Sequence, residues 1–220
     1  MKKLIQGIID FRDKLTPEKR EMYARLALGQ KPDALLIVCS DSRVAPNYFA
    51  STNPGDLFVL RNAGNLVPPS SAFPDDNSAA AVIEYAIFVL NVQDIIICGH
   101  SECGAMQALI DGVSLNTCPH IDTWLKYAEN SLYRVRNGEN ITPSLSLHNR
   151  LSQSNVLQQM EHILSYPFIR ERVDAKKLHV HGWWFDIANT RVFAYEQLQH
   201  RFIEIDEREA KSILDELDAT

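Results

Sequence analysis

Three short segments of the chain carry an apolar side chain at every position instead of at alternate positions. They span residues 34–38, 57–60 and 95–98. Continuous apolar runs of this length are typical of strands that are buried on both faces, as in parallel sheets. Between the second and third runs, residues 78–90 place their apolar side chains at helical spacing. The order strand, strand, helix, strand, helix predicts an α/β fold with a mainly parallel central sheet covered by helices.

Helices are also predicted near both ends of the chain. Residues 4–15 have the spacing of an amphipathic helix, and a second helix starts with Thr16 as N-cap and Pro17 at its first position and runs to about Gly29. These amphipathic N-terminal helices need an apolar surface to cover, either their own sheet or a partner subunit. Further along, the pattern predicts helices over residues 120–135, 145–166 and 207–217, and strands over residues 177–187, 191–197 and 201–205.

The segment of residues 62–77 has the composition of a loop, with three prolines and several Ser, Asn and Asp residues. It follows the second strand directly, so we expect it to border a site at that end of the sheet. Its last residues, Asp75, Asp76 and Asn77, are available to cap the helix over 78–90.

The length and composition fit one domain with a substantial core. The chain has 220 residues, 45% of them hydrophobic. We expect a single domain over residues 1–220: an N-terminal helical arm (1–30), an α/β core (31–190) that carries the site, and C-terminal strands and a helix (191–220).

Charge and hydropathy argue against several partners. The net charge is −6 with no Lys/Arg-rich block, so nucleic acid is not expected to bind. No apolar run approaches the roughly 18 residues that span a bilayer, and Asp10, Arg12 and Asp13 interrupt the N terminus before a signal peptide could form. We therefore expect a cytoplasmic protein with no membrane partner.

Four cysteines are few for a disulfide-stapled fold, which favours metal ligation or plain burial.

Residues suited to metal chemistry follow two of the buried runs. Cys39, Asp41 and Arg43 come directly after the first run, and His100 and Cys103 come after the third. In parallel sheets, ligand sites lie beyond the carboxyl ends of the strands, so these side chains converge if the two strands are neighbours. Two thiols, an imidazole and a carboxylate suit Zn²⁺, and the displaceable oxygen ligand suits a catalytic zinc better than a structural one.

Each of these residues also has a plainer interpretation. A lone cysteine after an apolar run is most often a core residue, and we assign Cys98, inside the third run, to packing. Asp41 and Arg43 could form an ordinary surface ion pair. Beside a zinc ion already neutralised by two thiolates, however, Arg43 can draw Asp41 away from the metal and open the fourth position. Of the other histidines, His181 is assigned to core packing, and the rest, His148 among them, are expected to be solvated or structural.

The motifs resemble those of the β-class carbonic anhydrases over roughly residues 20–190, in order and in spacing. The resemblance is carried by Cys39-Ser-Asp-Ser-Arg43, Pro54-Gly-Asp-Leu-Phe58, Arg61-Asn-Ala-Gly-Asn65, Glu84-Tyr-Ala86, Cys98-Gly-His-Ser-Glu-Cys-Gly104 and His181-Gly-Trp183.

The resemblance implies a zinc enzyme, with one Zn²⁺ per subunit, that hydrates carbon dioxide reversibly to bicarbonate and a proton by attack of zinc-bound hydroxide. It implies that Cys39, His100 and Cys103 bind the zinc ion. Asp41 is then either the fourth ligand or, paired with Arg43, a hydrogen-bond acceptor for the attacking oxygen.

The same resemblance implies the residues of the substrate pocket. Gln30 matches a glutamine that donates a hydrogen bond to the substrate, the backbone of Gly104 lines the pocket, and Phe58, Ala63 and Tyr85 border the side of the pocket that holds CO₂.

Two positions depart from some members of the family. Leu36 stands where the bicarbonate-regulated subgroup has a tryptophan, so we expect the open, unregulated type. Ala63 replaces a valine found in some members, which widens the apolar pocket slightly. Neither change removes a catalytic group.

The family also forms dimers or assemblies of dimers embraced by their N-terminal helices, so a homodimer or an assembly of dimers is expected. Two alternatives stay open: hydrolysis of a CO₂ isostere such as CS₂ or COS, and a non-catalytic module stabilised by zinc.

Overall fold

The computed structural model of the protein describes residues 1–72, 78–112, 117–139 and 141–218. Within these ranges six strands form one sheet, in the order β2-β1-β3-β4-β5-β6. The strands are β1 (Ala34–Cys39), β2 (Leu57–Asn62), β3 (Asp94–His100), β4 (His179–Asp186), β5 (Arg191–Glu196) and β6 (Arg201–Glu204). The first four strands run parallel and β5 and β6 extend the sheet antiparallel, which confirms the mainly parallel fold.

Ten α-helices lie within the described ranges and flank the sheet. They are α1 (Lys2–Asp13), α2 (Pro17–Leu26), α3 (Pro46–Phe49), α4 (Ser78–Glu84), α5 (Gly104–Asp111), α6 (Pro119–Leu125), α7 (Glu129–Arg136), α8 (Leu147–Ile163), α9 (Pro167–Asp174) and α10 (Glu207–Asp218). The hydroxyl oxygen of Thr16 accepts a hydrogen bond from the backbone of Lys19, so the predicted cap of α2 is confirmed. The caps expected at Asp75, Asp76 and Asn77 lie outside the described residues.

Several helix boundaries differ from those predicted from the sequence. The segment over 120–135 is two helices, because a 3-10 turn at Lys126–Ala128 separates α6 from α7. The predicted helix over 78–90 changes to a π-helical turn at Tyr85–Val89. Helices α3 and α9 were not predicted, and both begin at a proline, which is well suited to the first turn of a helix.

Burial on both faces explains the continuous apolar runs of β1 and β3, whereas the same prediction for residues 57–60 was wrong, because β2 lies at the edge of the sheet and only Leu60 of this strand is buried. All six residues of β1 are buried. Leu35 and Ile37 pack into a cluster on one face of the sheet, whereas Leu36 and Val38 pack into a cluster on the other face. Cys98 is fully buried within the second cluster, as predicted for a packing residue.

Helix α8 lies very close to β3 and β4 because each strand has a glycine beneath it. A methyl group at Gly99 would lie 2.7 Å from Val156 Cγ2, and one at Gly182 would lie 2.6 Å from Met160 Sδ. Any side chain at either position would therefore push the helix away from the sheet. This close approach brings polar side chains of α8 to the carboxyl end of β3.

Helix α1 buries none of its side chains, so it does not cover the sheet of its own chain. Its apolar residues stay exposed, with Leu4 64% and Ile8 66% accessible to solvent. An edge-to-face contact between Phe11 and Tyr23, with ring centroids 5.9 Å apart, joins α1 to α2. Among the residues that the structure describes, no helix has the length and hydropathy needed to cross a membrane.

Candidate metal centre

Three potential metal ligands meet at the carboxyl ends of β1 and β3. Cys39 is the last residue of β1, His100 is the last residue of β3, and Cys103 is the residue before α5. Because β1 and β3 are hydrogen-bonded neighbours in the parallel part of the sheet, they end at the same edge. One ligand atom from each residue lies within 4.8 Å of the others, and all three residues are buried. The convergence predicted from the sequence is therefore present.

The hydrogen bonding of His100 leaves one ring nitrogen free for a metal ion. Nδ1 lies 2.8 Å from the carbonyl oxygen of Ser101, to which it donates as the protonated nitrogen. Nε2 is buried and has no hydrogen-bond partner within the described part of the chain. A buried nitrogen without a partner is costly, and a metal ion at this position satisfies it. The donor set therefore fits Zn²⁺, which prefers thiolate and imidazole ligands.

The thiols of Cys39 and Cys103 shift each other's pKa because their sulfur atoms lie close together in the cluster. The neighbouring thiol of Cys103 lowers the pKa of Cys39, although burial opposes this effect. The same pairing, together with burial, raises the pKa of Cys103. The backbone N–H of Gly64 also donates to Cys39 Sγ at 3.4 Å. Cys39 is thus prepared as a thiolate.

Asp41 is bound by Arg43 and does not belong to the three-residue cluster. Arg43 Nε donates to Asp41 Oδ1 at 3.0 Å, and Arg43 Nη2 donates to Oδ2 at 2.7 Å. The backbone N–H of Arg43 also donates to Oδ1, at 2.9 Å. The guanidinium of Arg43 holds the pKa of Asp41 well below its usual range, so this carboxylate is ionised and can only accept hydrogen bonds.

Arg61 fixes the loop that carries Asp41. Its Nη2 atom lies 2.8, 2.9 and 2.8 Å from the carbonyl oxygens of Cys39, Asp41 and Val44. This role was missed from the sequence, where Arg61 served only as part of a motif. The role depends on the register of the parallel pair β1 and β2, which places Arg61 opposite Val38 and which no sequence pattern indicates.

Side chains of α8 donate hydrogen bonds to the backbone of the turn between β3 and α5. Ser152 Oγ donates to the carbonyl oxygen of His100 at 2.7 Å, and His148 Nε2 donates to that of Cys103 at 2.6 Å. Of the two alternatives left open for His148, solvated or structural, the structure therefore supports the structural one, although its place beside a metal ligand was not predicted. A third residue of α8, Asn155, donates to the carbonyl oxygen of Gly64 at 3.0 Å.

Two of the expected pocket residues lie near the cluster. Gly104 is the first residue of α5, directly after Cys103, and a methyl group added to it would meet no atom within 4 Å. The space beside it is therefore open. Ala63 precedes Gly64, and its carbonyl oxygen accepts a hydrogen bond from Trp124 Nε1 at 2.8 Å. The described part of the loop after β2 thus borders the site as predicted, and residues 73–77 lie outside the described ranges.

The other three pocket residues lie towards the amino ends of the strands. Phe58 pairs with Leu35 near the start of β1, and its ring lies 5.7 Å from that of Tyr85. Gln30 is exposed and precedes β1. A strand rises about 3.3 Å per residue, so the start of β1, which Gln30 precedes, lies roughly 16 Å from Cys39 at its end. Within one chain these residues do not meet the cluster.

Comparison with known proteins gives consistent matches. Residues 34–192 match a protein-family model described as carbonic anhydrase. A carbonic anhydrase of Pseudomonas aeruginosa is 36% identical over 207 residues, which cover 94% of this chain and 93% of that protein. A carbonic anhydrase of Helicobacter pylori is also 36% identical, over 91% of this chain and 93% of that protein.

Solved structures agree with the sequence matches. The β-carbonic anhydrase CcaA superposes with a TM-score of 0.86 at 37% identity, over 93% of this chain and 98% of that chain. A tetrameric β-carbonic anhydrase of Sordaria macrospora superposes with a TM-score of 0.76 at 32% identity, over 87% of this chain and 94% of that chain.

Proposed function

The chain belongs to the β class of carbonic anhydrases, zinc enzymes that hydrate carbon dioxide reversibly to bicarbonate and a proton, and we propose how its own residues divide that work. In this proposal Cys39, His100 and Cys103 hold the zinc ion, and Asp41 and Arg43 are the catalytic residues. The observation that carries the proposal is the buried cluster of three ligand atoms with an arginine-bound carboxylate two residues after one of them.

Charge explains why three protein ligands suit this reaction. Two thiolates neutralise the charge of Zn²⁺, and a third anion in the coordination shell would make the site net negative. When bound, zinc supplies the Lewis acidity that makes water a nucleophile near neutral pH, and this requires a coordination position that no protein atom fills. By holding both oxygens of Asp41, Arg43 keeps that carboxylate from occupying the position.

Asp41 orients the attacking water in this proposal. Its carboxylate stays ionised because Arg43 lowers its pKa, so it accepts a hydrogen bond from the water and cannot donate one. A fixed acceptor selects one orientation of the water and directs a lone pair towards the carbon of CO₂. Arg43 has the further role of keeping Asp41 in place.

We place the CO₂ pocket beside Gly104 and Ala63. The space next to Gly104 is open, and Ala63 adjoins the glycine whose N–H contacts Cys39. The small apolar side chain of Ala63 and the exposed Gly104 at the N terminus of α5 suit a small, uncharged substrate that becomes an anion, because helix N-termini stabilise negative charge.

We further propose that Gln30, Phe58 and Tyr85 complete the pocket of a neighbouring subunit. This is supported by their position at the far end of the strands and by the exposure of Tyr85, which is 44% accessible. The exposed apolar side chains of α1 supply a surface for such an assembly. The resulting homodimer, or assembly of dimers, has one zinc ion per subunit, and each chain folds as a single domain over residues 1–220.

We also propose a cytoplasmic location. All four cysteines are free, and two of them must remain reduced to bind zinc. Such thiols suit a reducing compartment.

The proposal is tested by stopped-flow hydration of CO₂ with parallel metal analysis. The wild-type protein is expected to bind one zinc ion per chain and to hydrate CO₂ far faster than buffer does. Cys39→Ser should lose both zinc and activity, whereas Asp41→Ala should keep zinc and lose activity. A zinc-loaded wild type that is no faster than buffer would reject the proposal, and parallel assays with CS₂ and COS would then test the isostere alternative.

A further inference from the structure

Glu102, in the turn between the ligands His100 and Cys103, has an unusual backbone conformation. Its φ is +54°, in the left-handed region that non-glycine residues rarely adopt. Such a conformation persists only where neighbouring groups hold it. The turn therefore requires a partner that keeps Glu102 in place.

Asn149, in the first turn of α8, is that partner. Its Oδ1 accepts a hydrogen bond from the backbone N–H of Glu102 at 2.9 Å, and its Nδ2 donates to Glu102 Oε1 at 3.0 Å. One amide side chain thus contacts both the backbone and the side chain of Glu102. Asn149 is itself fixed, because its backbone N–H donates to the N-cap hydroxyl of Ser146 at 3.3 Å.

The conformation of Glu102 determines where its carbonyl oxygen points. This oxygen accepts a hydrogen bond from Arg43 Nη2 at 2.8 Å, and the same nitrogen donates to Asp41 at 2.7 Å. The side chain of Arg43 is 48% exposed, so few other contacts restrict its rotamer. A series of hydrogen bonds therefore connects Asn149 to Glu102, Glu102 to Arg43, and Arg43 to Asp41.

We propose that Asn149 is a positioning residue that keeps the metal's fourth position open. It holds the carbonyl of Glu102 towards Arg43, and Arg43 in turn holds Asp41 off the metal. When Asn149 is removed, Glu102 relaxes, Arg43 loses its second anchor, and Asp41 competes for the metal. This inference rests on the proposed roles of Asp41 and Arg43.

A purely structural role for Asn149 would give a different result from a positioning role. The probe is thiocyanate titrated into the Co²⁺-substituted protein, with binding followed by visible absorption, because thiocyanate and Asp41 compete for the same position. Mutation of hydrogen-bond partners outside the coordination shell typically costs about 10- to 100-fold in metal affinity or activity. We therefore expect Asn149→Ala to weaken thiocyanate binding by about 10-fold. Unchanged affinity would overturn the proposal.

Glycine at position 102 provides the rescue. Because glycine adopts a positive φ without strain, Glu102→Gly in the Asn149→Ala background should restore most of the lost thiocyanate affinity. Failure of this rescue would contradict the role assigned to the backbone of Glu102. Met160→Ala is the matched control, since it removes core packing at the other end of the same helix and should lower the melting temperature while leaving thiocyanate affinity unchanged.

A second pair of variants applies if Asn149→Ala does not fold. Asn149→Asp is nearly isosteric but replaces the donor with an oxygen that faces Glu102, so thiocyanate affinity should fall. With Glu102→Gln added, the amide of residue 102 donates to the carboxylate of residue 149, so the hydrogen bond forms again with donor and acceptor exchanged. The thiocyanate affinity should then be restored. An affinity that stays low would overturn the proposal. If the wild-type Co²⁺ protein binds no thiocyanate, the proposed open position itself fails. If the wild-type Co²⁺ protein binds thiocyanate and the Asn149 variants bind it equally tightly, only the inference about Asn149 fails.

Discussion

Arg43 donates to both carboxylate oxygens of Asp41, through Nε at 3.0 Å and Nη2 at 2.7 Å. A two-point contact of this kind fixes the plane of a carboxylate as well as its position. Asp41 therefore has a defined orientation two residues after the cluster residue Cys39, although it lies outside the cluster.

The first prediction concerns the need for two hydrogen bonds from position 43. Arg43→Ala releases Asp41, which is then free to bind the metal, so kcat should fall by about 100-fold while zinc content stays near one per chain. Arg43→Lys should restore only a small part of kcat, because an ammonium group does not make the planar two-point contact. Stopped-flow kinetics and metal analysis provide the check. Wild-type activity in the lysine variant would contradict this role.

The second prediction compares two glycines that lie close to metal ligands. A methyl group at Gly99 meets Val156 Cγ2 at 2.7 Å and the backbone oxygen of Ser152 at 3.2 Å, whereas one at Gly104 meets nothing within 4 Å. Gly99→Ala should therefore destabilise the protein by about 1–3 kcal/mol through overpacking and should weaken zinc binding by displacing α8.

Gly104→Ala should leave the free energy of unfolding nearly unchanged but should raise KM for CO₂, because the methyl group occupies the proposed pocket. Gly29→Ala, also without a neighbour within 4 Å, is the control and should change neither quantity. Denaturant unfolding and steady-state kinetics separate the effects. Equal stability of the Gly99 and Gly104 variants would count against the packing argument.

The third prediction concerns the exposed apolar side chains of α1. If these side chains pack on another subunit, Ile8→Glu should shift the protein from an assembly towards a 24.9 kDa monomer at micromolar concentration. Lys3→Gln, a charge change of the same size and sign at an exposed position of the same helix, leaves the apolar residues intact and should not shift it. Sedimentation velocity measures the mass directly, and a wild-type monomer would refute the assembly.

The fourth prediction is a pH dependence of stability that originates at His162. Burial lowers the pKa of His162, while its Nδ1–H donates to the carbonyl oxygen of Val67 at 2.7 Å. Because the folded pKa lies below the unfolded value of about 6.5, the unfolded state binds the proton more readily. The contribution of His162 to the free energy of unfolding is thus present above pH 6.5 and is lost as the pH falls through the folded pKa. Unfolding curves between pH 7.5 and 5.5 should show a smaller loss in His162→Gln than in wild type, and identical slopes would disprove the assignment.

The strands and the metal ligands could be predicted from the sequence because both depend on local signals. A run such as Ile95–Cys98 is apolar at each position since both faces of β3 are covered, and the residues that follow such a strand must lie at the edge of the sheet. The adjacency of β1 and β3, which brings Cys39 to His100, was the assumption that the structure confirms.

The supporting hydrogen bonds could not be predicted in the same way. Ser152, Asn155 and Gln159 are polar residues that α8 buries, so the helix lacks a clear apolar face in the sequence. Their partners are backbone groups of His100, Gly64 and Val67, which lie far away along the chain. Backbone carbonyls and N–H groups are the same for every residue type, so the sequence contains no signal for these pairs.

The most direct test of the central claim is a crystal structure of the zinc-loaded protein. We predict zinc bound by Cys39, His100 and Cys103, with a non-protein oxygen at about 2.0 Å in the fourth position and both oxygens of Asp41 still on Arg43. An Asp41 oxygen within about 2.2 Å of the zinc ion, with Arg43 turned away, would contradict the account.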